Sequence, residues 1–231
     1  MAASTPSHFH PAVRGEIVKW FEQYSLNERM EIEFRIQNVG EAGFERILSS
    51  LSEHRGWSNS PVKPMVSLDV MHASGVRETR IQNKPPEFLL KDKGFGELTM
   101  ETDIGYKVRF SVAQEVPKSA DSSPITMYRH KQRYTFVHKG LFKFELTRVK
   151  QGTSEQSAFQ APMSFEVELE FCGQASAVTR EGQHEYLADS MLMKAADLLQ
   201  RLSHAGRSAD GSLTEGDEVV LAPSTPVELG P

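Results

Sequence analysis

The sequence contains a single cysteine, Cys172, so the chain can form no internal disulfide and no cysteine-rich zinc site. A chain of this kind suits a reducing compartment, the cytosol or the nucleus. The eight histidines show no metal-ligand spacing that is backed by other ligands, which argues against a histidine-based metal site. Long apolar runs are also lacking. None approaches the ~20 residues of a membrane-spanning helix, and the segment after Met1 has no apolar core of the signal-peptide type.

An excess of positive charge is lacking as well. The 26 lysines and arginines are outnumbered by 31 acidic residues, and the net charge is -5. This balance excludes a generally basic surface that binds nucleic acid through its phosphates. An anionic ligand must therefore meet cations that are concentrated locally. The run Gly94-Phe95-Gly96 has no following lysine or helix pattern, so it is not a phosphate-binding loop.

Residues 165–171 alternate between charged and large apolar side chains, which is the pattern of a β-strand. Glu166, Glu168 and Glu170 lie on one face of this strand. One such strand alone is usually the solvated outer face of an antiparallel sheet. The pattern recurs, with cationic rows as well as acidic ones, at residues 30–36, 106–116, 128–137 and 141–149. We therefore predict an α+β fold: a closed antiparallel β-barrel of about eight strands, with a charged lumen and an apolar outer face.

Apolar residues at helical spacing predict helices that cover this barrel, near residues 15–24, 44–55 and 185–203. Residues 66–72 and 75–82 are typical of a hairpin. The segment 84–96 is expected to be irregular, and 150–163 to be a long polar connection. The 231 residues fit one domain with tails. The expected division is a flexible N-terminal arm over 1–12, the barrel domain over 13–203, and a disordered tail over 204–231.

The acidic rows predict a bound metal cation, because several carboxylates inside one barrel are costly to ionise side by side without one. Hard ions such as Mg²⁺ and Mn²⁺ take oxygen ligands, and Mg²⁺ commonly shares them with substrate phosphates. The cationic rows suit several phosphate groups, which guanidinium forks can bind in pairs. A metal, an oligophosphate and a water-orienting carboxylate together are the equipment of phosphoryl transfer.

Four motifs carry a resemblance to a known family. They are Glu-Ile-Glu-Phe-Arg at 31–35, Arg-His-Lys-Gln-Arg at 129–133, Phe-Glu-Leu-Thr-Arg-Val at 144–149 and Glu-Val-Glu-Leu-Glu at 166–170. In this order the motifs resemble the triphosphate tunnel metalloenzymes over roughly residues 15 to 203. Within that superfamily they are most similar to the metal-dependent RNA 5′-triphosphatases of mRNA capping from fungi, protozoa and some viruses.

The resemblance implies a hydrolase that removes the γ-phosphate of triphosphate-ended pre-mRNA, the first step of 5′ capping. It also implies Mg²⁺ or Mn²⁺ as cofactor, an NTPase side activity, a guanylyltransferase as partner, a nuclear location and no membrane contact. Two alternatives stay open. One is a small-substrate relative that acts on inorganic triphosphate, thiamine triphosphate or ATP, and the other is a tunnel that binds polyphosphate without turnover. The number of glutamates disfavours pure binding, and the motifs at 129–133 and 166–170 favour the capping class.

Individual roles follow from the resemblance, position by position. The implied metal ligands are Glu31, Glu33 and Glu170. The implied catalytic acids are Glu115, which matches the acid that orients the attacking water, Glu145 beside it, and Glu168. The implied phosphate-binding cations are Arg77, Lys91, Arg109, Arg129, Lys131, Arg133 and Lys143. Glu166 is a further tunnel acid. Three positions depart from the pattern of the related enzymes. Arg35 stands where the wider superfamily has lysine, Lys143 where arginine is common, and Glu145 where aspartate is usual.

Overall fold

The computed structural model describes residues 6, 8–27, 29–59, 63–179 and 182–203. Within these residues, eight antiparallel strands close into a barrel in the order β1-β5-β4-β3-β2-β6-β7-β8. The strands are β1 (Met30–Ile36), β2 (Met65–His72), β3 (Val76–Arg80), β4 (Glu87–Glu101), β5 (Lys107–Pro117), β6 (Ile125–His138), β7 (Phe142–Gly152) and β8 (Ser164–Phe171). The helices are α1 (Pro11–Tyr24), α2 (Glu41–Glu53), α3 (Glu155–Gln160) and α4 (Gln183–Ser203), with a 3₁₀ turn at Ala175–Ala177. The predicted barrel is confirmed.

The alternation of β1, β5, β7 and β8 places a polar and charged row in the lumen and an apolar row outside. In the register of β1, Glu33 lies opposite Glu170 of β8 and Ser111 of β5, so the polar rows of neighbouring strands share one face. The apolar row is fully buried on the other face, where the rings of Phe34 and Phe110 lie 4.8 Å apart. The polarity of the barrel is therefore the reverse of that in a barrel with an apolar core.

Helices α1, α2 and α4 cover the apolar outer face. Phe21 of α1 meets the ring of Phe171 edge to face at 5.1 Å, and the Tyr24 hydroxyl donates to the carbonyl of Gly173 at 2.9 Å. Leu198 and Leu202 of α4 join the same buried cluster. Burying each such side chain contributes about 1.5–3 kcal/mol, so the helices supply the apolar core that the lumen lacks. No helix among the described residues is long and apolar enough to span a membrane.

The barrel-packed chain reaches further towards the N-terminus than residue 13. Helix α1 begins at Pro11, after His10, whose Nδ1 accepts a hydrogen bond from the backbone N–H of Ala12. Phe9 is buried, with its ring 5.4 Å from that of Phe110. The division into arm, domain and tail otherwise stays a prediction, and residues 1–5, 7 and 204–231 lie outside the described residues.

Residues 84–96, which we expected to be irregular, are largely regular, and this expectation was wrong. Residues 84–96 contain the first part of β4, which pairs with β3 and β5 and so completes the eight-stranded barrel. Its alternation is broken by a register shift between Asp92 and Gly96, where a Cβ on Gly96 would lie 3.0 Å from Nε1 of Trp20. In 150–163 the short helix α3 forms behind a capping box in which Ser154 and Ser157 bond reciprocally.

Candidate active site

The lumen holds a cavity of about 130 Å³ lined almost entirely by charged side chains. Every residue to which the resemblance assigns a role, Arg109 excepted, lines it. They are Glu31, Glu33, Arg77, Lys91, Glu115, Arg129, Lys131, Arg133, Lys143, Glu145, Glu166, Glu168 and Glu170. Arg109 lies beside the cavity and donates to Glu33 Oε1 at 3.1 Å. The structure therefore brings the whole predicted set together, while the roles of its members stay predictions.

The implied metal ligands lie on two neighbouring strands. Glu33 lies opposite Glu170 across the β1–β8 pair, and Glu31 lies two residues earlier on the same face of β1. Two lysines contact these acids: Lys91 Nζ is 2.5 Å from Glu31 Oε2, and Lys143 Nζ is 2.9 Å from Glu170 Oε1. As the side chains stand, no three His, Cys, Asp or Glu among the described residues are grouped tightly enough to hold a metal.

The chemistry of this donor set nevertheless fits a hard divalent cation. All three groups are carboxylates, the ligands that Mg²⁺ and Mn²⁺ prefer. Burial, with Glu31 and Glu145 close by, raises the pKa of Glu170 well above its ordinary value despite the contact with Lys143. The surroundings thus disfavour the ionised form of Glu170, and a bound cation beside it would stabilise that form.

Arg35 lies at the centre of the acidic rows, although it was not among the assigned site residues. Its guanidinium lies 3.2 Å from Glu33, 3.6 Å from Glu166, and in direct contact with Glu168. Burial raises the pKa of Glu168 to about 7, with Glu33 and Glu166 adding to the rise and Arg35 opposing it. The signal that identifies Arg35 is its place in the inward row of β1, two residues after Glu33.

The cations of the lumen are paired with acids but keep free donors. Arg133 Nη1 lies 2.5 Å from Glu145, and Arg129 Nη2 donates to Glu166 at 2.7 Å. The buried Nε atoms of Arg77 and Arg109 have no hydrogen-bond partner within the described part of the chain. A buried N–H without an acceptor is costly, and phosphate oxygens in the lumen would supply acceptors.

Asp69 is a second lumen acid that received no role from the sequence. Its side chain is fully buried, and it accepts hydrogen bonds from Lys131 Nζ at 2.8 Å and Thr79 Oγ1 at 3.0 Å. Burial opposes ionisation, but Lys131, with help from Arg77 and Thr79, outweighs it, and the pKa of Asp69 is lowered. Because Lys131 itself is 8% exposed, Asp69 acts as its counter-ion and positions it.

The two candidates for orienting water face the lumen in different settings. Glu115 has a side chain that is 30% exposed and accepts from Arg77 Nη2 at 3.1 Å. Glu145 has a side chain that is 7% exposed and contacts Arg133 and, at 3.4 Å, Thr135 Oγ1. The Glu115 carboxylate is the more accessible of the two, which suits a group that orients water. That Glu115 rather than Glu145 has this role stays a prediction.

Comparison with known proteins gives one family and one fold. The family model for the mRNA capping enzyme, beta chain, matches residues 102–207. No curated protein sequence matches the chain. The RNA triphosphatase domain of a trifunctional mimivirus capping enzyme superposes with a TM-score of 0.65 at 15% identity, covering 85% of this chain and 98% of that one. An RNA triphosphatase of S. pombe gives a TM-score of 0.65 at 17% identity, covering 84% of this chain and 94% of that one.

At these identities the solved structures show a shared fold, and the family match rests on the sequence itself. The matched segment contains β5 to β8 and α4, and therefore three of the four motifs on which the resemblance depends. Fold, motifs and sequence match agree: over residues 102–207 the chain matches the mRNA triphosphatases of mRNA capping, and its barrel has the fold of solved RNA triphosphatases.

Proposed function

We propose that this RNA 5′-triphosphatase of the capping family removes the γ-phosphate of its substrate with a divalent cation held by Glu31, Glu33 and Glu170. The observation that carries the proposal is the lumen itself, where an acidic wall and a cationic wall face each other across about 130 Å³. A cavity of this kind suits a metal and a chain of phosphates together, since neither wall alone would balance its charge.

A bound Mg²⁺ or Mn²⁺ would stabilise charge on the phosphoryl oxygens as a Lewis acid. The carboxylates that hold it now contact Lys91 and Lys143. Once these acids serve as metal ligands, both lysines are available to phosphate oxygens. The same ammonium groups can thus neutralise the metal ligands when the tunnel is empty and the substrate when it is filled.

Lys131, Arg133 and Arg77 form the grip on the transferred phosphoryl group. Lys131 and Arg133 are inward neighbours on β6, and both are buried or nearly so. Phosphoryl transfer passes through a loose transition state, so catalysis depends on positioning and on cations at the developing charge. The acid that orients the attacking water is Glu115, with Glu145 as the second candidate.

The direct test follows γ-phosphate release from triphosphate-ended RNA labelled at that phosphate, with Mg²⁺, with Mn²⁺ and with chelator. We expect release only with a divalent ion. Inorganic triphosphate and ATP serve as competing substrates in parallel reactions. Hydrolysis of inorganic triphosphate with intact RNA would favour the small-substrate alternative, and tight binding of triphosphate without turnover would favour a binding tunnel.

Three finer assignments belong to the same proposal. We propose an NTPase side activity, because a nucleoside triphosphate presents the same three phosphates to the lumen. We propose a guanylyltransferase as partner, because the diphosphate end that this reaction leaves is the substrate for adding the cap. We propose a nuclear location, where nascent transcripts are found. Steady-state kinetics with ATP, co-purification and microscopy of a tagged chain test these in turn.

A further inference from the structure

Toward one open end of the barrel, the inward-facing side chains of β1 and β8 change from charged to neutral and polar. The backbone N–H of Gln37 donates to the carbonyl of Lys107 at 2.9 Å, so the pairing of β1 continues one residue past Ile36 and Gln37 stays in the inward row. The inward row of β1 therefore reads Glu31, Glu33, Arg35, Gln37, and that of β8 reads Glu170, Glu168, Glu166, Ser164. In both rows, charge gives way to neutral hydrogen-bonding groups in the same direction.

A third strand shows the same change at the same open end. Gln151 of β7 lies opposite Arg129 of β6, which lines the lumen, so the Gln151 side chain also belongs to the inward face. Val149 lies opposite both Lys131 of β6 and Ser164 of β8, which brings the ends of these strands to one rim. The neutral side chains at this rim thus come from three strands and lie beside two cations, Lys107 opposite Gln37 and Arg129 opposite Gln151. The implied metal ligands lie deeper along the same rows.

A groove of about 620 Å³ opens at this rim. Its lining includes Gln37, Asn38, Gln151, Met163 and Ser164. It shares Arg35 and Glu166 with the lumen cavity, so the two spaces adjoin at these side chains. Sites for small organic ligands span ~300–1,000 Å³, and the groove falls within this range.

Three side-chain amides of the groove are free to bind a ligand. The side-chain amides of Gln37, Asn38 and Gln151 make no hydrogen bond to any described residue. Each amide offers two donors and an acceptor, which is what nucleobase edges and ribose hydroxyls require. Met163, which is 44% exposed, adds an apolar surface on which a base can lie.

We propose that this groove binds the 5′-terminal nucleoside of the RNA, with Gln37 and Gln151 as positioning residues. The inference rests on the proposed function, because it orders the substrate along the inward rows. The γ-phosphate lies at the depth of Glu31, the α-phosphate between Arg35 and Arg109, and the nucleoside beyond them. Six residues of strand from Glu31 to Gln37 span about 20 Å, which accommodates a triphosphate followed by a nucleoside.

The test compares Gln37→Ala, Gln151→Ala and the double variant on two substrates, triphosphate-ended RNA and inorganic triphosphate, which has no nucleoside. Gln82→Ala is the matched control, since Gln82 is an exposed amide that lines a separate groove on the outside of the barrel. For the double variant we expect the ratio of kcat/KM for RNA to that for inorganic triphosphate to fall about tenfold, the loss of one or two hydrogen bonds to the ligand. The loss should appear as a higher KM for RNA, and Gln82→Ala should keep the wild-type ratio.

The outcomes separate the two proposals. If inorganic triphosphate is bound but not hydrolysed, its inhibition constant against RNA replaces its kcat/KM as the reference. A fall by the same factor for both substrates, or an unchanged ratio in both single variants and the double, contradicts the nucleoside groove. A wild-type protein that hydrolyses inorganic triphosphate but not RNA overturns the proposed function instead. Should Gln37→Ala unfold, Gln151→Ala alone decides, because Gln151 is exposed and its removal leaves no cavity.

Discussion

Asp69 allows the charge balance of the tunnel to be tested without touching an implied metal ligand. Asparagine at this position keeps the shape of the side chain and the hydrogen bond from Thr79, but it removes the negative charge. Lys131, whose Nζ lies 2.8 Å from Asp69, is then left without its counter-ion. Burial and the neighbouring Arg133 lower the pKa of Lys131, and Asp69 is the acid that opposes them.

The expected cost of Asp69→Asn is that of breaking a buried ion pair from one side, about 3–5 kcal/mol. The reason is that the ammonium group of Lys131, which is only 8% exposed, loses the carboxylate that contacts it. With a urea m-value of ~2 kcal/mol/M, the unfolding midpoint should fall by about 1.5–2.5 M. Circular dichroism across a urea titration measures this shift.

Two further variants serve as controls. Glu45→Gln removes one partner of the pair that Arg148 forms at 2.6 Å, where Glu45 is 44% exposed, and should cost less than ~1 kcal/mol. Adding Lys131→Met to Asp69→Asn removes the stranded charge and should recover much of the loss. If Asp69→Asn costs no more than Glu45→Gln, water reaches the pair and the reasoning from burial is refuted.

The remaining predictions concern acid stability and catalysis. Contact with Lys131 lowers the pKa of Asp69 in the folded protein. The pair therefore contributes fully to folding stability above the pKa of an unfolded aspartate, about 4, and this contribution is lost as pH falls through the lower folded pKa. The wild type and Asp69→Asn should thus converge in stability in acid. Chelation should abolish release, and Glu31→Gln at limiting metal should cost about 3–4 kcal/mol in kcat/KM, with partial recovery at high Mn²⁺; full activity in chelator would exclude the metal. Arg133→Lys should lose about a hundredfold in kcat, because a point charge cannot replace the fork that contacts Glu145 and Thr147; a fully active lysine variant means that the fork does not matter. Glu115→Gln should lose turnover while the metal concentration for half-maximal rate stays near normal, and if only Glu145→Gln behaves in this way, the water-orienting role belongs to Glu145.

The sequence by itself determined which face of each strand points inward. Alternation with period two is a local property, so the inward rows of β1, β6, β7 and β8 could be read from the chain without knowledge of its partners. The opposite polarity of the two faces then predicted a charged lumen and an apolar exterior, which is confirmed. The four motifs predicted the family in the same way, because each of them lies within one strand.

Tertiary structure decided everything that depends on which rows face each other across the lumen. Strand β4 escaped prediction because a register shift breaks its alternation, and its ladder to β3 and β5 supplies the regularity that its own residues lack. Asp69 became a site residue only through Lys131, its partner 62 positions away along the chain. Arg35 stood in the inward row of β1, but its contact with Glu168, 133 positions away, depends on the closed barrel. The neutral side chains of the rim likewise come together only where the ends of three strands meet. Periodicity within a strand fixes the direction of a side chain, but the closure of the barrel sets its neighbours, and ion pairs depend on the distance between charges.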